Sequence, residues 1–305
     1  MKYLIIGAGG TGGCIGAYMT KNGKDVTLIA RGGHLEAIQK DGLSMDTTVF
    51  GEFTVRPKIA DTEHYNEMPD VIFVCVKEYS LEGIIPFIKR VAGENTIVIP
   101  ILNVYGTGER LQAHLPDNLV TDGCIYVASN IEGPGKIKMH GDIFRVVFGV
   151  RNETEFTPML YEIKKDLDES GIDGVLSEHI KRDTLKKFSY VSAQAACGLY
   201  YNVTAGAMQK EGEIRDCFAS LVHEIDLLAN AMNIDFGEDI VKRNLTILDA
   251  LLPTSSTSLQ RDIEAGKQSE IDGIIYSVVR NAEKVGLCLP VYKEITDWTK
   301  NHIVL

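Results

Sequence analysis

Lys2-Tyr3-Leu4-Ile5-Ile6-Gly7-Ala8-Gly9-Gly10-Thr11-Gly12-Gly13 stands at the head of the chain, and its reading decides the fold. The apolar run Lys2 to Ile6 has the character of a buried strand, the glycines form a turn, and Cys14 to Lys21 continues as a helix that Asn22-Gly23 closes. A second apolar run, Asp25 to Ala30, follows. Within this strand, turn and helix a G-x-G-x-x-G pattern fits Gly7, Gly9 and Gly12. The first glycine allows the tight turn, the second lets a diphosphate approach bare backbone, and the third lets helix and strand pack closely. The helix N-terminus then offers free N–H groups and partial positive charge to the phosphates. The candidate dinucleotide cradle is therefore Gly7, Ala8, Gly9, Gly10, Thr11 and Gly12.

The end of the second strand carries the cofactor preference. An NAD site places a carboxylate there for the ribose 2′-hydroxyl, whereas an NADP site places a cation for the 2′-phosphate. This chain has Arg31, and no carboxylate until Glu36. A guanidinium can grip the phosphate through two parallel hydrogen bonds and lie on the adenine ring. The expected cofactor is NADPH, with Arg31 in a mobile loop at Gly32-Gly33 and His34 available to assist.

A chain of 305 residues with 45% hydrophobic and 24% charged residues suits two globular domains. Its net charge of −11 disfavours nucleic acid and anionic membranes as partners. No apolar stretch approaches 18 residues and none resembles a signal peptide, so a soluble, cytoplasmic protein is expected. The six cysteines lack C-x-x-C spacing and read as small buried hydrophobes, neither a metal site nor a disulfide frame.

Further along, Leu35 to Lys40 reads as a short helix, and two alternating runs around Gly51 read as a hairpin. Asp70 to Val76 and Thr96 to Leu102 are continuous apolar strands of the parallel-sheet kind. They lead to Lys77 and Asn103, on the edge of the sheet where ligands of open α/β folds bind. Strand-like runs at Leu119 to Ala128 and Gly135 to Val150, a helix from Thr157 to Gly171 and a last strand to Leu176 complete this half. From about Arg182 the period changes to helical: Asp183 to Gly198, Glu213 to Met232, Asp239 to Leu252, Glu270 to Val285 and Tyr292 to Asn301. The expected architecture is α/β, an N-terminal doubly wound Rossmann-type domain over residues 1–180 followed by an all-α substrate and catalytic domain over 181–305.

Two stretches of the helical half carry polar side chains that a core would not require. One is Leu185-Lys186-Lys187-Phe188, on a helix whose inward face is Leu185, Phe188, Ser192, Ala195, Ala196 and Leu199. The other runs from Thr254 to Gly273 and is rich in hydroxyls, amides and carboxylates. With these the chain resembles the ketopantoate reductases (2-dehydropantoate 2-reductases) over nearly its whole length. The shared features are the glycine pattern, a lysine ending one strand (Lys77), an asparagine ending the next (Asn103), Lys187-Phe188, and the late motif Ser258, Asp262-Ile263, Glu270-Ile271-Asp272.

The resemblance implies Lys187 as general acid and Glu270 as the carboxylate that orients lysine and substrate. It implies Asn103 and Ser258 as substrate contacts, with Asn103 also near the cofactor and Lys77 beside both. The chemistry is consistent: hydride delivered to the C2 carbonyl of a 2-oxo acid leaves an alkoxide, which an ammonium stabilises and protonates. A nearby carboxylate compensates the ammonium for lost hydration. The sequence departs from the family where asparagines usually stand four and eight residues after the lysine, here Val191 and Ala195. It departs again where glycine usually follows the strand-end asparagine, here Val104. Gln194, Ser192 and Tyr190 are the candidate replacements. The expected activity is reduction of 2-dehydropantoate to pantoate on the route to pantothenate, with a small 2-oxo acid as partner. Another 2-oxo acid, or a non-catalytic NADPH-binding role, remains the alternative. The direction in the cell and the oligomeric state stay open, a homodimer among the assemblies.

Overall fold

The computed structural model describes residues 1–303. The chain divides into two compact units: Met1–Leu102 with Gly106–Ile180, and Lys181–Leu305 with the short segment Asn103–Tyr105.

In the first unit the chain runs β1 (Lys2–Ile6), α1 (Gly10–Lys21), β2 (Asp25–Ile29), α2 (Gly32–Asp41), β3 (Leu43–Thr47), β4 (Gly51–Val55), β5 (Lys58–Ala60) and β6 (Val71–Val74). It continues through α3 (Leu81–Val91), β7 (Ile97–Pro100), α4 (Thr107–His114), β8 (Leu119–Val120), β9 (Asp122–Gly133), β10 (Lys136–Gly149), α5 (Pro158–Glu169) and β11 (Asp173–Leu176). Six parallel strands form one sheet in the order β5-β2-β1-β6-β7-β8. Counted along the chain this is 3-2-1-4-5-6, the order of dinucleotide-binding sheets, with the strand order reversing between β1 and β6. Strand alternation sorts the core: Tyr3, Ile5 and Phe73 pack with Ile15 and Met19 of α1, while Leu4, Ile6 and Ile72 pack with Leu81 and Ile88 of α3.

Several local expectations change. Helix α1 begins at Gly10, not Cys14, because Gly9 is its N-cap, so Gly10, Gly12 and Gly13 are helical. Gly32-Gly33 is not a mobile loop but the first turn of α2, with Arg31 as N-cap. The hairpin at Gly51 is present, yet β3 pairs with the distant β10 in a second sheet, order β11-β10-β3-β4, with β9 antiparallel to β10. Helix α4 was not expected; its short polar sequence carries little apolar period. Of the cysteines, Cys288 is exposed.

The second unit is helical: α6 (Ile180–Tyr200), α7 (Ala205–Met208), α8 (Glu213–Ala231), α9 (Ile240–Asp249), α10 (Ser258–Glu264), α11 (Ser277–Lys284) and α12 (Pro290–His302). Its core gathers Leu185, Phe188 and Ala196 of α6, Phe218 and Leu221 of α8, and Tyr292 and Ile295 of α12. Val104 joins that core, and the ring of Tyr105 lies 6.2 Å from that of Phe188. The departure at Val104 thus has a packing reason. The expected single helix from Glu270 is interrupted by a turn of π-helix, Asp272–Tyr276. No described helix is long and apolar enough to cross a membrane.

Candidate functional site

In the first unit, Gly7 adopts φ +99°, and a Cβ there would meet the Cys75 carbonyl oxygen at 2.9 Å. A Cβ on Gly12 would sit 2.1 Å from the Gly7 carbonyl oxygen, so the turn and the helix touch through backbone. Gly9 has nothing within 4 Å of its would-be Cβ and caps α1 without a side-chain hydrogen bond. The first-turn amides of Gly10, Thr11 and Gly12 therefore lack an intrahelical acceptor, and the first turn carries no acidic residue. Backbone donors, an open approach at Gly9 and a helix N-terminus fit a diphosphate.

Arg31 directly follows β2 and is exposed. Its guanidinium makes no hydrogen bond or ion pair among the described residues, which suits it to an external anion. His34 serves a different purpose from the one expected. Its Nδ1 accepts the Gly135 N–H at 3.0 Å, so Nε2 carries the proton and donates to the Ala8 carbonyl at 2.8 Å. Both ring nitrogens tie the glycine turn to the β9–β10 hairpin, and neither is left for a phosphate. Lys77 follows β6 and stands at the N-terminus of a short 3-10 turn, Glu78–Ser80, partly buried.

In the second unit, Lys187 Nζ donates to Asn103 Oδ1 at 2.6 Å. The neighbouring Lys186 instead donates to the Phe236 carbonyl at 3.0 Å and to Glu238 Oε1 at 2.7 Å. That bond holds the Glu238 carboxyl below its ordinary range. The two lysines thus have separate partners, as about 100° between helix neighbours requires. Glu270 is almost fully buried, 4% exposed, and its carbonyl accepts the Ile274 N–H at 2.9 Å. Ser258 is the first residue of α10 and half-buried.

Much of the polar run before Glu270 is structural. Thr257 and Gln260 form a reciprocal capping box, the Gln260 amide donates to the Val203 carbonyl, and Arg261 donates to the Ser256 carbonyl. Among the candidate replacements, Ser192 is committed: its hydroxyl donates to the Ile274 carbonyl at 2.6 Å and lies 2.8 Å from the Tyr292 hydroxyl. Tyr190 packs edge-on against Phe218, its hydroxyl buried without a partner among the described residues, and burial pushes its pKa above the ordinary phenol value. Gln194 is nearly buried, Val191 half-buried, and Ala195 lies wholly within the core. Ala195 therefore forms no wall of an open site. Tyr292 and Glu224, two further buried polar residues of this unit, had no sequence signal beyond lying on amphipathic helices.

Two family models match, ketopantoate reductase PanE/ApbA over residues 3–153 and its C-terminal counterpart over residues 179–302. The uncharacterized oxidoreductase YkpB of Bacillus subtilis is 25% identical, the match covering 97% of this chain and 96% of that one. A 2-dehydropantoate 2-reductase of Pyrococcus horikoshii is 26% identical over 95% and 94% of the two chains. The same fold occurs in the ternary structure of D-mandelate dehydrogenase with NADH and anilino(oxo)acetate, with a TM-score of 0.89, 22% identity, and 99% and 98% of the chains covered.

Proposed function

The chain belongs to the ketopantoate reductase family of NADP-dependent oxidoreductases, and from that premise we propose that it reduces 2-dehydropantoate to pantoate, on the route to pantothenate. The observation that carries the reading is the 2.6 Å bond from Lys187 to Asn103, which fixes an ammonium beside an amide in the helical unit. In this reading the glycine turn and Arg31 hold NADPH, with Lys77 close to it. Bound NADPH supplies the hydride. Asn103 and Ser258 orient the 2-oxo acid, and Lys187 stabilises the oxygen that gains charge when the C2 carbonyl is reduced. Lys187 then passes a proton to that oxygen, giving the hydroxyl of pantoate. Glu270, buried at the start of its helix, supplies the carboxylate that orients the lysine. NADPH oxidation followed against a panel of 2-oxo acids tests the reading: 2-dehydropantoate should give the highest kcat/KM, and no turnover with any member would reject it.

A second reading, a reductase of a 2-oxo acid with an apolar branch, is favoured by Val191. The discriminating ratio is kcat/KM for 2-dehydropantoate over 2-oxo-3,3-dimethylbutanoate, which lacks the terminal hydroxyl. A ratio under roughly 100 supports the second reading, whereas a fully hydrogen-bonded hydroxyl gives about 10⁴ or more.

A further inference from the structure

Helix α6 carries Lys187, and the π turn that follows Glu270 begins only two residues after that carboxylate. A buried hydroxyl joins the two elements. Ser192, wholly buried and five residues beyond Lys187, donates to the Ile274 carbonyl inside the π turn. The Ile274 N–H in turn donates to the Glu270 carbonyl. Two hydrogen bonds therefore run from the lysine's helix to the backbone of the glutamate.

Because the Ser192 proton is spent on Ile274, the 2.8 Å contact with Tyr292 must have the phenol as donor. Tyr292 is held from the other side. The buried Glu224 of α8 accepts the backbone N–H groups of Val291 and Tyr292, each at 2.8 Å, in the first turn of α12. The result is a directed chain: Glu224 fixes the start of α12, Tyr292 orients Ser192, and Ser192 fixes the π turn. π turns are uncommon, occur mostly as single turns, and are frequent at functional sites. A buried hydrogen-bond chain with every donor used is a rigid connection, since a loosened member leaves an unpaired polar group in the core.

We infer that Ser192 and Tyr292 are positioning residues that set Glu270 relative to Lys187 by pinning the π turn to α6. This rests on the reading of Lys187 and Glu270 as the proton-handling pair. Neither hydroxyl touches the reacting atoms; their effect passes through the placement of Glu270.

The test compares purified Ser192→Ala, Tyr292→Phe and Ser189→Ala proteins with the parent, and includes Lys187→Ala as reference. Ser189 is a control from the same helix: it too is fully buried, donates to the Lys186 carbonyl and accepts from Asn244, but has no bond to the π turn. Melting temperature, NADPH binding stoichiometry, kcat per NADPH site, KM and the solvent deuterium isotope effect on kcat are measured for each. Ser192→Ala should lower kcat per site about 10-fold, with the NADPH affinity kept and the isotope effect raised as proton transfer becomes slower. Tyr292→Phe, which keeps the ring and the fold, should move both quantities the same way by less. Ser189→Ala should lower the melting temperature and leave both unmoved. Loss of melting temperature alone in Ser192→Ala and Tyr292→Phe, with kcat per site and isotope effect at parent values, overturns the inference. Parent-like turnover in Lys187→Ala overturns the reading it rests on, and the inference with it.

Discussion

The glycine turn and the lysine site are built from different materials. The turn is one continuous stretch, Gly7 to Gly12, and offers backbone: open amides, a would-be Cβ at Gly9 with nothing near it, and a helix start with no side-chain cap. The lysine site is made of side chains from distant segments, with Lys187 reaching an acceptor 84 residues earlier in the chain. A site of the first kind tolerates most side-chain changes outside its glycines and fails when a Cβ is added. One of the second kind depends on the packing that brings its members together.

The largest test of this contrast is Lys187→Ala, which should lower turnover at least about 10²-fold with NADPH binding kept. Lys186→Ala should cost stability instead, since its bonds to Phe236 and Glu238 are internal. Equal losses of turnover in the two variants would contradict the side-chain assignment. Next comes Arg31→Ala. A charge-assisted pair worth roughly 1.5–3 kcal/mol predicts a loss of NADPH affinity of about 10- to 100-fold, with NADH affinity nearly unchanged in fluorescence titrations.

The third test addresses the backbone itself. Gly12→Ala forces a methyl to 2.1 Å from the Gly7 carbonyl and should destabilise by about 1–3 kcal/mol or more. Gly33→Ala, with open space and ordinary φ in the first turn of α2, should be neutral or slightly stabilising by melting temperature. Similar losses would show that the turn is not the sterically closed element described.

The smallest effects are in pH dependence, and the two units differ in sign. In the first unit, burial pushes the Asp166 carboxyl up, but hydrogen bonds from Lys24 and Tyr3, each 2.6 Å, outweigh it and hold its pKa below the ordinary value. A depressed carboxyl stabilises the fold above its unfolded pKa, and that contribution is lost as pH falls through the folded one. Asp166→Asn should therefore be less stable than the parent at neutral pH, with the difference closing in acid. In the second unit, burial raises the Glu224 carboxyl despite the two backbone N–H groups it accepts. Its contribution is fully present below the unfolded pKa and declines as pH rises through the folded one. Glu224→Gln should remove that decline, leaving a flatter stability profile above the carboxylate range in pH-dependent urea melts.

Legibility followed the same division. Strand, turn and helix at the N-terminus are local, so period and glycine spacing reveal them. The start of α1 was missed by four residues, since glycine is a poor helix former and here serves packing instead. The hairpin β3–β4 could be read, but its partner β10 could not, as pairing across so many residues leaves no local mark. The π turn has no sequence period of its own, and Ser192 stands among the candidate replacements for the missing asparagines because nothing local shows that Ile274 and Tyr292 consume its hydroxyl. Lys187 and Glu270 stood out by resemblance to a family, not from their own surroundings.

Asn103–Tyr105 belongs to the helical unit although it is threaded into the chain among the strands and helices of the other. Gene fusion and recombination act on contiguous segments, so the two units are not two portable modules. A fragment cut at residue 181 would lack Val104 from its core, Tyr105 from beside Phe188 and the amide that receives the Lys187 ammonium. A chimera that exchanged only residues 181–303 would draw those three residues from the other parent. For this helical half, inheritance is therefore split: Lys187 is encoded in one segment and the Asn103 amide oxygen that accepts its hydrogen bond in another.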